Sequence, residues 1–186
     1  RLTGKPIPSL QSMDITQKVI YINTFTKSLS STMRISYMVL PPELANRFLE
    51  QLSFYSCTVS NFEQYALMRF INEGYFEKHI NRMRNFYHKQ RDILLDAIKR
   101  SPLSSHVTIM EEDSGLHFLL KLKMELSDKE FMQRALQKGV KLNSLSAYYH
   151  DSPDDFAAHT FIINYSYLNT EHLAEAINVL YDCIKK

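Results

Sequence analysis

Residues 22–34 read Ile22-Asn23-Thr24-Phe25-Thr26-Lys27-Ser28-Leu29-Ser30-Ser31-Thr32-Met33-Arg34. This stretch separates two apolar runs, residues 19–22 and 35–40, whose composition is typical of buried strands. A lysine and an arginine therefore share one polar loop between two predicted core strands. We expect this position to hold Lys27 in a partly desolvated place, where the pKa of its amine falls and the amine becomes nucleophilic.

The other side chains of the loop favour a phosphate-bearing cofactor. Hydroxyl residues surround Lys27, and the guanidinium of Arg34 suits a phosphate because it can donate two parallel hydrogen bonds. An amine beside a phosphate site is typical of a Schiff base to pyridoxal 5'-phosphate (PLP). From chemistry alone, the alternatives are a solvated loop lysine and a structural ion pair of Arg34 at a strand edge.

Two segments carry a resemblance to a known family: Thr24-Phe25-Thr26-Lys27 and Arg34-Ile35-Ser36-Tyr37-Met38-Val39-Leu40-Pro41-Pro42-Glu43-Leu44. Together they resemble the lysine segment of fold-type I aminotransferases, and most of all that of the MocR/GabR group of bacterial regulators in the GntR superfamily. The resemblance extends over nearly the whole chain, including residues 4–12 and 114–118. Those regulators join an N-terminal winged-helix DNA-binding domain to an aminotransferase-like effector domain.

The resemblance implies a role for individual residues of the loop. Lys27 would bond to the aldehyde of PLP, and an incoming amine would displace it by transaldimination. Arg34 and Thr24 match the family's arginine after the lysine and hydroxyl before it, so both are expected to bind the phosphate. Thr26 is a further cofactor-binding candidate. In an enzyme, the freed Lys27 would also transfer the α-proton of the substrate.

The resemblance also implies an α/β fold, namely the C-terminal portion of a PLP-dependent fold-type I aminotransferase. Residues 1–74 would be a remnant of the large PLP-binding domain, with the end of its mostly parallel sheet. Residues 75–101 would form the long connecting helix, and residues 102–186 the small C-terminal α+β domain. The family's domain is much longer than this chain, so we expect an incomplete cofactor site in the chain alone.

Local patterns predict the individual elements. Apolar residues at helical spacing, together with capping boxes that begin at Ser60 and Ser127, predict helices over 43–54, 60–73, 75–101, 127–138 and 170–184. Short apolar or β-branched runs predict strands over 19–22, 35–40, 107–110, 115–122, 140–143 and 160–167. The basic residues of helix 75–101, Arg91 among them, are interpreted as a solvated face rather than as a nucleic-acid contact.

Candidates for effector binding lie outside the loop. His117, Tyr148 and Tyr149 could face a ligand; a hydrogen-bonded core histidine and ordinary core or surface aromatics are the alternatives. The polar residues Tyr55, Ser56, Thr58 and Ser60 match a family loop that approaches the cofactor across a dimer interface, although a helix cap explains Ser60 as well. The histidines and aspartates of residues 150–159 fit no recognised ligand spacing, so no metal site is expected.

One departure from the family pattern concerns substrate binding. Aminotransferases usually hold the substrate carboxylate with an arginine near the strand before the last helix, but residues 144–166 contain none. The leading hypothesis is therefore a PLP-binding, effector-sensing domain of a MocR/GabR-type regulator with little or no turnover. Its effector would be an amino acid, an amine or a short peptide. A genuine PLP-dependent class I/II aminotransferase and a cofactor-free interaction domain are the alternatives.

The overall composition limits the other possibilities. A net charge of +2 with interspersed signs predicts no nucleic-acid face, so DNA would be bound by the separate N-terminal domain. No apolar run is long enough for a membrane span, and Cys57 and Cys183 indicate two unpaired thiols in a reducing cytoplasm. The chain begins with Arg1, so we expect the true start to lie upstream. Homodimerisation is implied by the family resemblance alone.

Overall fold

The computed structural model describes residues 7–113, 115–150 and 155–185. Its helices are α1 (Pro42–Leu52), α2 (Asn61–Asn72), α3 (Tyr75–Arg100), α4 (Asp128–Gln137) and α5 (Leu173–Ile184). Its strands are β1 (Tyr21–Thr24), β2 (Ser36–Val39), β3 (Val107–Met110), β4 (His117–Leu122), β5 (Asn143–Ser144) and β6 (Thr160–Asn164). Not one of the described helices combines the length and the apolar character that a membrane span requires. The chain divides into two compact units, here called the N-terminal and the C-terminal unit, at the step from Met83 to Arg84 within α3.

The N-terminal unit carries a two-stranded sheet in which β1 and β2 run antiparallel, with Tyr21 opposite Val39 and Thr24 opposite Ser36. These two strands therefore do not show the mostly parallel pairing that the resemblance implies for the large domain. The reason is their connection. Residues 25–35 form a short loop, which suffices for antiparallel pairing, whereas parallel strands need a longer crossover.

The strands of this sheet are less buried than the sequence predicts. Ile22 is 69% exposed and every residue of β2 is exposed, whereas Ile35 beside it is buried. The prediction of two buried core strands is wrong for this chain, because a two-stranded sheet has only edge strands. The first strand also starts later than predicted, at Tyr21. Before it, the carboxylate of Asp14 accepts the N–H of Val19 at 2.7 Å, so this donor is not available for strand pairing.

Local signals set the helices of the N-terminal unit. Pro42 lies in the first turn of α1, where its missing N–H leaves no helical bond unmade. Ser60 caps α2: its hydroxyl accepts the N–H of Glu63 and donates to the Glu63 carboxylate at 3.1 Å, which confirms the capping function predicted there. Gly74 adopts a φ of +74° and so lets the chain turn directly into α3.

The C-terminal unit is built on a four-stranded antiparallel sheet with the order β3-β4-β6-β5. Helices α4 and α5 and the C-terminal part of α3 bury apolar side chains in one core with this sheet. The largest side chains fully buried in that core are those of Leu103, Phe118, Phe131, Phe161 and Tyr165. This arrangement confirms the α+β layer that the alternation of predicted elements indicates.

Two strand predictions shift for local reasons. The strand expected at 140–143 forms at Asn143–Ser144, because the N–H groups of Gly139 and Val140 still donate to carbonyls of α4, each at 2.9 Å. The strand expected to reach Tyr167 ends at Asn164, whose side chain accepts the N–H of Ser166 at 2.8 Å and closes a turn. In both cases a side chain or a helix end accepts a hydrogen bond from a backbone N–H that would otherwise be available for strand pairing.

Candidate functional site

The lysine loop, residues 24–35, connects the paired ends of β1 and β2. It begins with a 3-10 turn over Phe25–Lys27, which Thr24 caps by accepting the N–H of Thr26 at 3.3 Å. Its base is closed by the N–H of Phe25, which donates to the carbonyl of Ile35 at 2.9 Å. Lys27 is therefore the last residue of a tight turn whose backbone is fixed on both sides.

The hydroxyl groups of Thr24 and Thr26 hold the loop together from within. Thr26 Oγ1 donates to the carbonyl of Met33 at 2.7 Å, and Thr24 Oγ1 lies 3.2 Å from the carbonyl that closes the base of the loop. A threonine hydroxyl has a single proton, so the proton of Thr26 is committed to the loop itself. Since Thr26 precedes Lys27 and Met33 precedes Arg34, this bond brings the two predicted cofactor-binding arms of the loop together.

Lys27 and Arg34 are both exposed in this chain. The expected partial desolvation of Lys27 is therefore absent here, because the strands that flank the loop are themselves exposed. The two side chains still fit the chemistry of PLP, since one offers a primary amine and the other a guanidinium that suits a phosphate. Thr24 and Thr26 fit the phosphate less well as donors, because their hydroxyl groups are hydrogen-bonded within the loop.

A residue that the sequence does not single out joins the lysine loop to α3. The ring nitrogen Nε2 of His79 lies 3.1 Å from the carbonyl oxygen of Ser28, the residue directly after Lys27. The ring of Phe25 also meets that of Phe76 edge-on, with centroids 6.0 Å apart. Phe76 belongs to the apolar stripe predicted for this helix, but no spacing rule connects His79 with the loop.

The predicted effector contacts lie in the C-terminal unit and are not brought together. His117 begins β4 opposite Asn164, at the C-terminal end of β6. Tyr148 and Tyr149 follow β5, whose antiparallel register leads the chain toward the other end of β6. All three side chains are exposed, which rules out the core positions that the sequence leaves open for them.

The guanidinium of Arg91 anchors the turn before β4. It is buried, whereas the sequence predicts a solvated position for it. Arg91 in α3 is 7% exposed and donates to the carboxylates of Asp92 at 2.9 Å and Asp113 at 2.7 Å. Its Nη2 also lies 3.1 Å from Nε2 of His88. Burial opposes the charge of Arg91, but the hydrogen bonds and charges of the two aspartates outweigh burial and raise its pKa.

Tyr165 holds the same turn from within the core. Its side chain is fully buried, and its hydroxyl donates to the carbonyl of Gly115 at 2.6 Å. Burial raises the pKa of the Tyr165 phenol, so the group remains a hydrogen-bond donor. Arg91 and Tyr165 together fix the backbone that leads into His117.

A second polar cluster joins α4 to β5 and to the segment before β6. One carboxylate oxygen of Asp128 accepts the hydroxyls of Ser144 at 2.7 Å and Ser146 at 3.2 Å. The other oxygen accepts the backbone N–H of His159 at 3.0 Å and lies 3.1 Å from its Nδ1. The sequence groups His159 with neighbouring aspartates, whereas the structure gives it a distant partner on α4.

The remaining sequence-based candidates take ordinary positions. Tyr55, Ser56 and Thr58 are exposed. Arg134, which the sequence does not single out as a site residue, pairs with Glu130 at 2.9 Å on the surface of α4. Of the residues weighed for metal binding, 151–154 lie outside the described ranges. Within the ranges that the structure does describe, no group of three or more metal-ligating side chains occurs.

No family model matches the chain. The uncharacterized HTH-type transcriptional regulator YdeL of Bacillus subtilis is 45% identical over 153 residues, which cover 82% of this chain and 33% of that protein. The probable rhizopine catabolism regulatory protein MocR of Rhizobium meliloti is 34% identical over 180 residues, which cover 97% of this chain and 36% of that protein. The chain thus spans about a third of the length of these curated relatives.

A solved aminotransferase shares the fold over the full chain. The kynurenine aminotransferase of Pyrococcus horikoshii, solved in complex with PMP, superposes with a TM-score of 0.75 at 29% sequence identity. The match covers 100% of this chain and 45% of that chain. The chain is therefore similar to regulators in sequence and to an aminotransferase in three-dimensional structure.

Proposed function

Because this chain matches the C-terminal, aminotransferase-like part of MocR-type transcriptional regulators, we propose that it is a PLP-binding, effector-sensing domain. The observation that carries the proposal is the arrangement of the lysine loop. The Thr26 hydroxyl donates to the Met33 carbonyl, and the residues that directly follow these two, Lys27 and Arg34, are both exposed. PLP supplies an aldehyde at which the amine of a lysine and the amine of a ligand exchange. The PMP complex of the solved kynurenine aminotransferase supports this choice of cofactor.

Four residues of the lysine loop have a role in the proposed cofactor site. Lys27 would hold PLP through its amine, and Arg34 would bind the phosphate by charge-assisted hydrogen bonds. Thr24 and Thr26 keep the two arms of the loop in place and can accept, rather than donate, further hydrogen bonds. Residues outside this chain complete the site, since the chain spans only about a third of its curated relatives.

The effector is an amino-bearing small molecule, such as an amino acid, an amine or a short peptide. With PLP bound, its amine would take the place of the Lys27 amine by transaldimination. The domain would then shift toward the conformation that binds the effector more tightly. His117 and the pair Tyr148 and Tyr149 are the candidate contacts. Since they lie toward opposite ends of β6, we assign one of these two places, rather than both, to a small effector.

The response is read out by a separate DNA-binding domain in the complete protein. The sequence similarity to two regulators supports this assignment. We further propose a homodimer in the cytoplasm, where Cys57 and Cys183 would remain the free thiols seen in the structure.

A genuine aminotransferase is the second candidate, which the structural match to the kynurenine aminotransferase favours. Against it stands the composition of β6, Thr160–Asn164, which offers no arginine for a substrate carboxylate. A bidentate contact of that kind contributes both binding and orientation, so its loss weakens transamination of simple amino acids.

The complete protein, loaded with PLP, separates the two candidates. Amino acids, amines and short peptides are added singly while the visible absorbance of the cofactor, released keto acid and DNA binding are followed. A sensor changes its absorbance and its DNA affinity with one effector and releases at most one equivalent of keto acid. Release of keto acid over many cycles would establish the enzyme instead. In the Lys27→Ala variant the visible absorbance of bound PLP should be absent. Lys18→Ala, which changes an exposed lysine before β1, is the control.

A further inference from the structure

The lysine loop is attached to the first turns of α3 by one polar contact. Nε2 of His79 lies 3.1 Å from the carbonyl oxygen of Ser28, and the two residues are 51 positions apart in sequence. A carbonyl oxygen can only accept, so Nε2 carries the proton and donates it. Both the imidazolium and the Nε2-protonated neutral ring can donate this bond.

The accepting carbonyl lies next to Lys27 in the chain, so the contact restrains the backbone beside the lysine. Ser28 directly follows Lys27, and its N–H donates to the carbonyl of Phe25 at 3.1 Å. The backbone on the C-terminal side of Lys27 is thus held at its N–H by the 3-10 turn and at its C=O by α3. On the N-terminal side, Thr24 and the ring contact between Phe25 and Phe76 hold the turn. The backbone from which the amine of Lys27 projects is fixed on both sides.

The ring of His79 is itself held in place. It is partly buried, and it meets the ring of Phe70 in α2 at a centroid distance of 6.5 Å. This packing limits the rotamers of His79, so the proton on Nε2 is presented to the loop with little further loss of side-chain entropy. Because that proton is committed to Ser28, Nε2 is not available for proton transfer, and His79 acts through the loop.

We propose that His79 is a positioning residue for Lys27: it fixes the Ser28 carbonyl and thereby orients the lysine toward PLP. The proposal rests on the PLP-binding function proposed above. A lysine on a fixed backbone loses less conformational freedom when it bonds to the cofactor than a lysine on a mobile loop. Loss of the contact should therefore weaken cofactor binding without any direct contact between His79 and the cofactor.

Two substitutions at position 79 distinguish the effect of the hydrogen-bond donor from the effect of the packed ring. His79→Phe keeps an aromatic ring beside Phe70 but has no donor, whereas His79→Gln keeps an N–H donor but has no ring. Glu77→Gln, an exposed position of the same helical turn, is the matched control. In the complete protein we expect His79→Phe to raise the apparent dissociation constant for PLP about five- to tenfold, the value of one hydrogen bond. His79→Gln and Glu77→Gln should stay within about twofold of the wild type.

A second readout uses the protein without cofactor. Amide hydrogen exchange of the peptide covering residues 25–35 should accelerate in His79→Phe by about the same factor, while exchange of β4 in the C-terminal unit stays unchanged and reports an intact fold. Equal PLP affinity and equal exchange in His79→Phe and wild type would overturn the proposal. Equal weakening by His79→Phe and His79→Gln would also overturn it, because a side chain that retains an N–H donor would then support PLP binding no better than one without a donor.

The Lys27→Ala protein separates this inference from the function on which it rests. If Lys27→Ala abolishes the visible absorbance of bound PLP and His79→Phe leaves PLP affinity unchanged, only the positioning role fails. If the absorbance persists in Lys27→Ala, the proposed function fails and the role of His79 toward Lys27 fails with it.

Discussion

Nη1 of Arg91 in α3 and Oδ1 of Asp113 in the turn before β4 are 2.7 Å apart, which makes an ion pair between a buried guanidinium and an exposed carboxylate. The same Nη1 lies 3.3 Å from the backbone carbonyl of Glu112. A planar guanidinium can serve a carboxylate and a carbonyl at once because its donors form a fixed fork. The turn between β3 and β4 is thereby tied to the long helix.

Replacing Arg91 by methionine should loosen this turn. The substitution keeps part of the buried stem but removes the hydrogen bonds to Asp92 and Asp113, at a cost of about 1–3 kcal/mol in local stability. Lysine at this position should recover only part of the loss, because it offers a point charge rather than a fork. Amide exchange of β3 and β4 in the complete protein measures the effect. Arg134→Met, at a surface pair, is the control, and an equal response of both variants would contradict the prediction.

Removing the carboxylate of Asp128 should free the segments that it joins. Asp128→Ala removes the acceptor of the His159 N–H and leaves the Ser144 hydroxyl with only its 2.6 Å contact to the Ser146 hydroxyl, which costs about 1–3 kcal/mol. Asp128→Asn retains one acceptor oxygen and should cost about half as much. Exchange of β5 and β6 amides is the measurement. Glu130→Ala, two residues along α4, removes only a surface pair and should change exchange by about 0.5 kcal/mol or less.

The turn before β1 should be sensitive to acid. The backbone N–H of Val19 is the main cause that holds the pKa of Asp14 below its ordinary value, and the N–H groups of Lys18 and Thr16 act in the same direction. Since the folded pKa lies below the unfolded one, the stabilisation is complete above about pH 4 and is lost as pH falls through the folded pKa.

Amide exchange of residues 18–19, corrected for the intrinsic effect of pH, tests this behaviour. Protection should fall on acidification in the wild type and should be low at every pH in Asp14→Ala. Protection that stays constant, or that rises as pH falls, would contradict the role given to the carboxylate.

The Thr26 hydroxyl should matter for the lysine loop as a donor to the loop itself. Thr26→Val keeps the branched shape but removes the bond to the Met33 carbonyl, so residues 25–35 should lose about 1 kcal/mol of local stability. Thr26→Ser keeps the hydroxyl and should lose less. Exchange of this segment in the protein without PLP is the measurement, and identical exchange in Thr26→Val and wild type would contradict the structural role.

Features set by neighbouring residues could be predicted from the sequence. At Ser60 and at Ser127 the hydroxyl accepts the backbone N–H of the residue three positions along, so both N-caps form as predicted. The long helix is found at Tyr75–Arg100, one residue short of the predicted range. Its length and apolar stripe made it recognisable.

Features set by distant contacts could not be predicted. Arg91 reads as one more basic residue of a charged helix, and only the fold shows that Asp113 lies beside it. The same holds for His79 with Ser28 and for Asp128 with His159. Burial of the strands around Lys27 was overestimated, because an apolar run does not reveal how many strands a sheet contains.

The most direct test of the account is to reduce the PLP-loaded complete protein with borohydride and to locate the cofactor by peptide mass spectrometry. Reduction makes the bond between a lysine amine and the PLP aldehyde permanent, so the modified residue can be identified. We predict the phosphopyridoxyl group on Lys27, with its amount sharply reduced in Arg34→Ala because the phosphate loses its charged partner. A group attached to another lysine, or no attached group at all, would contradict the central claim.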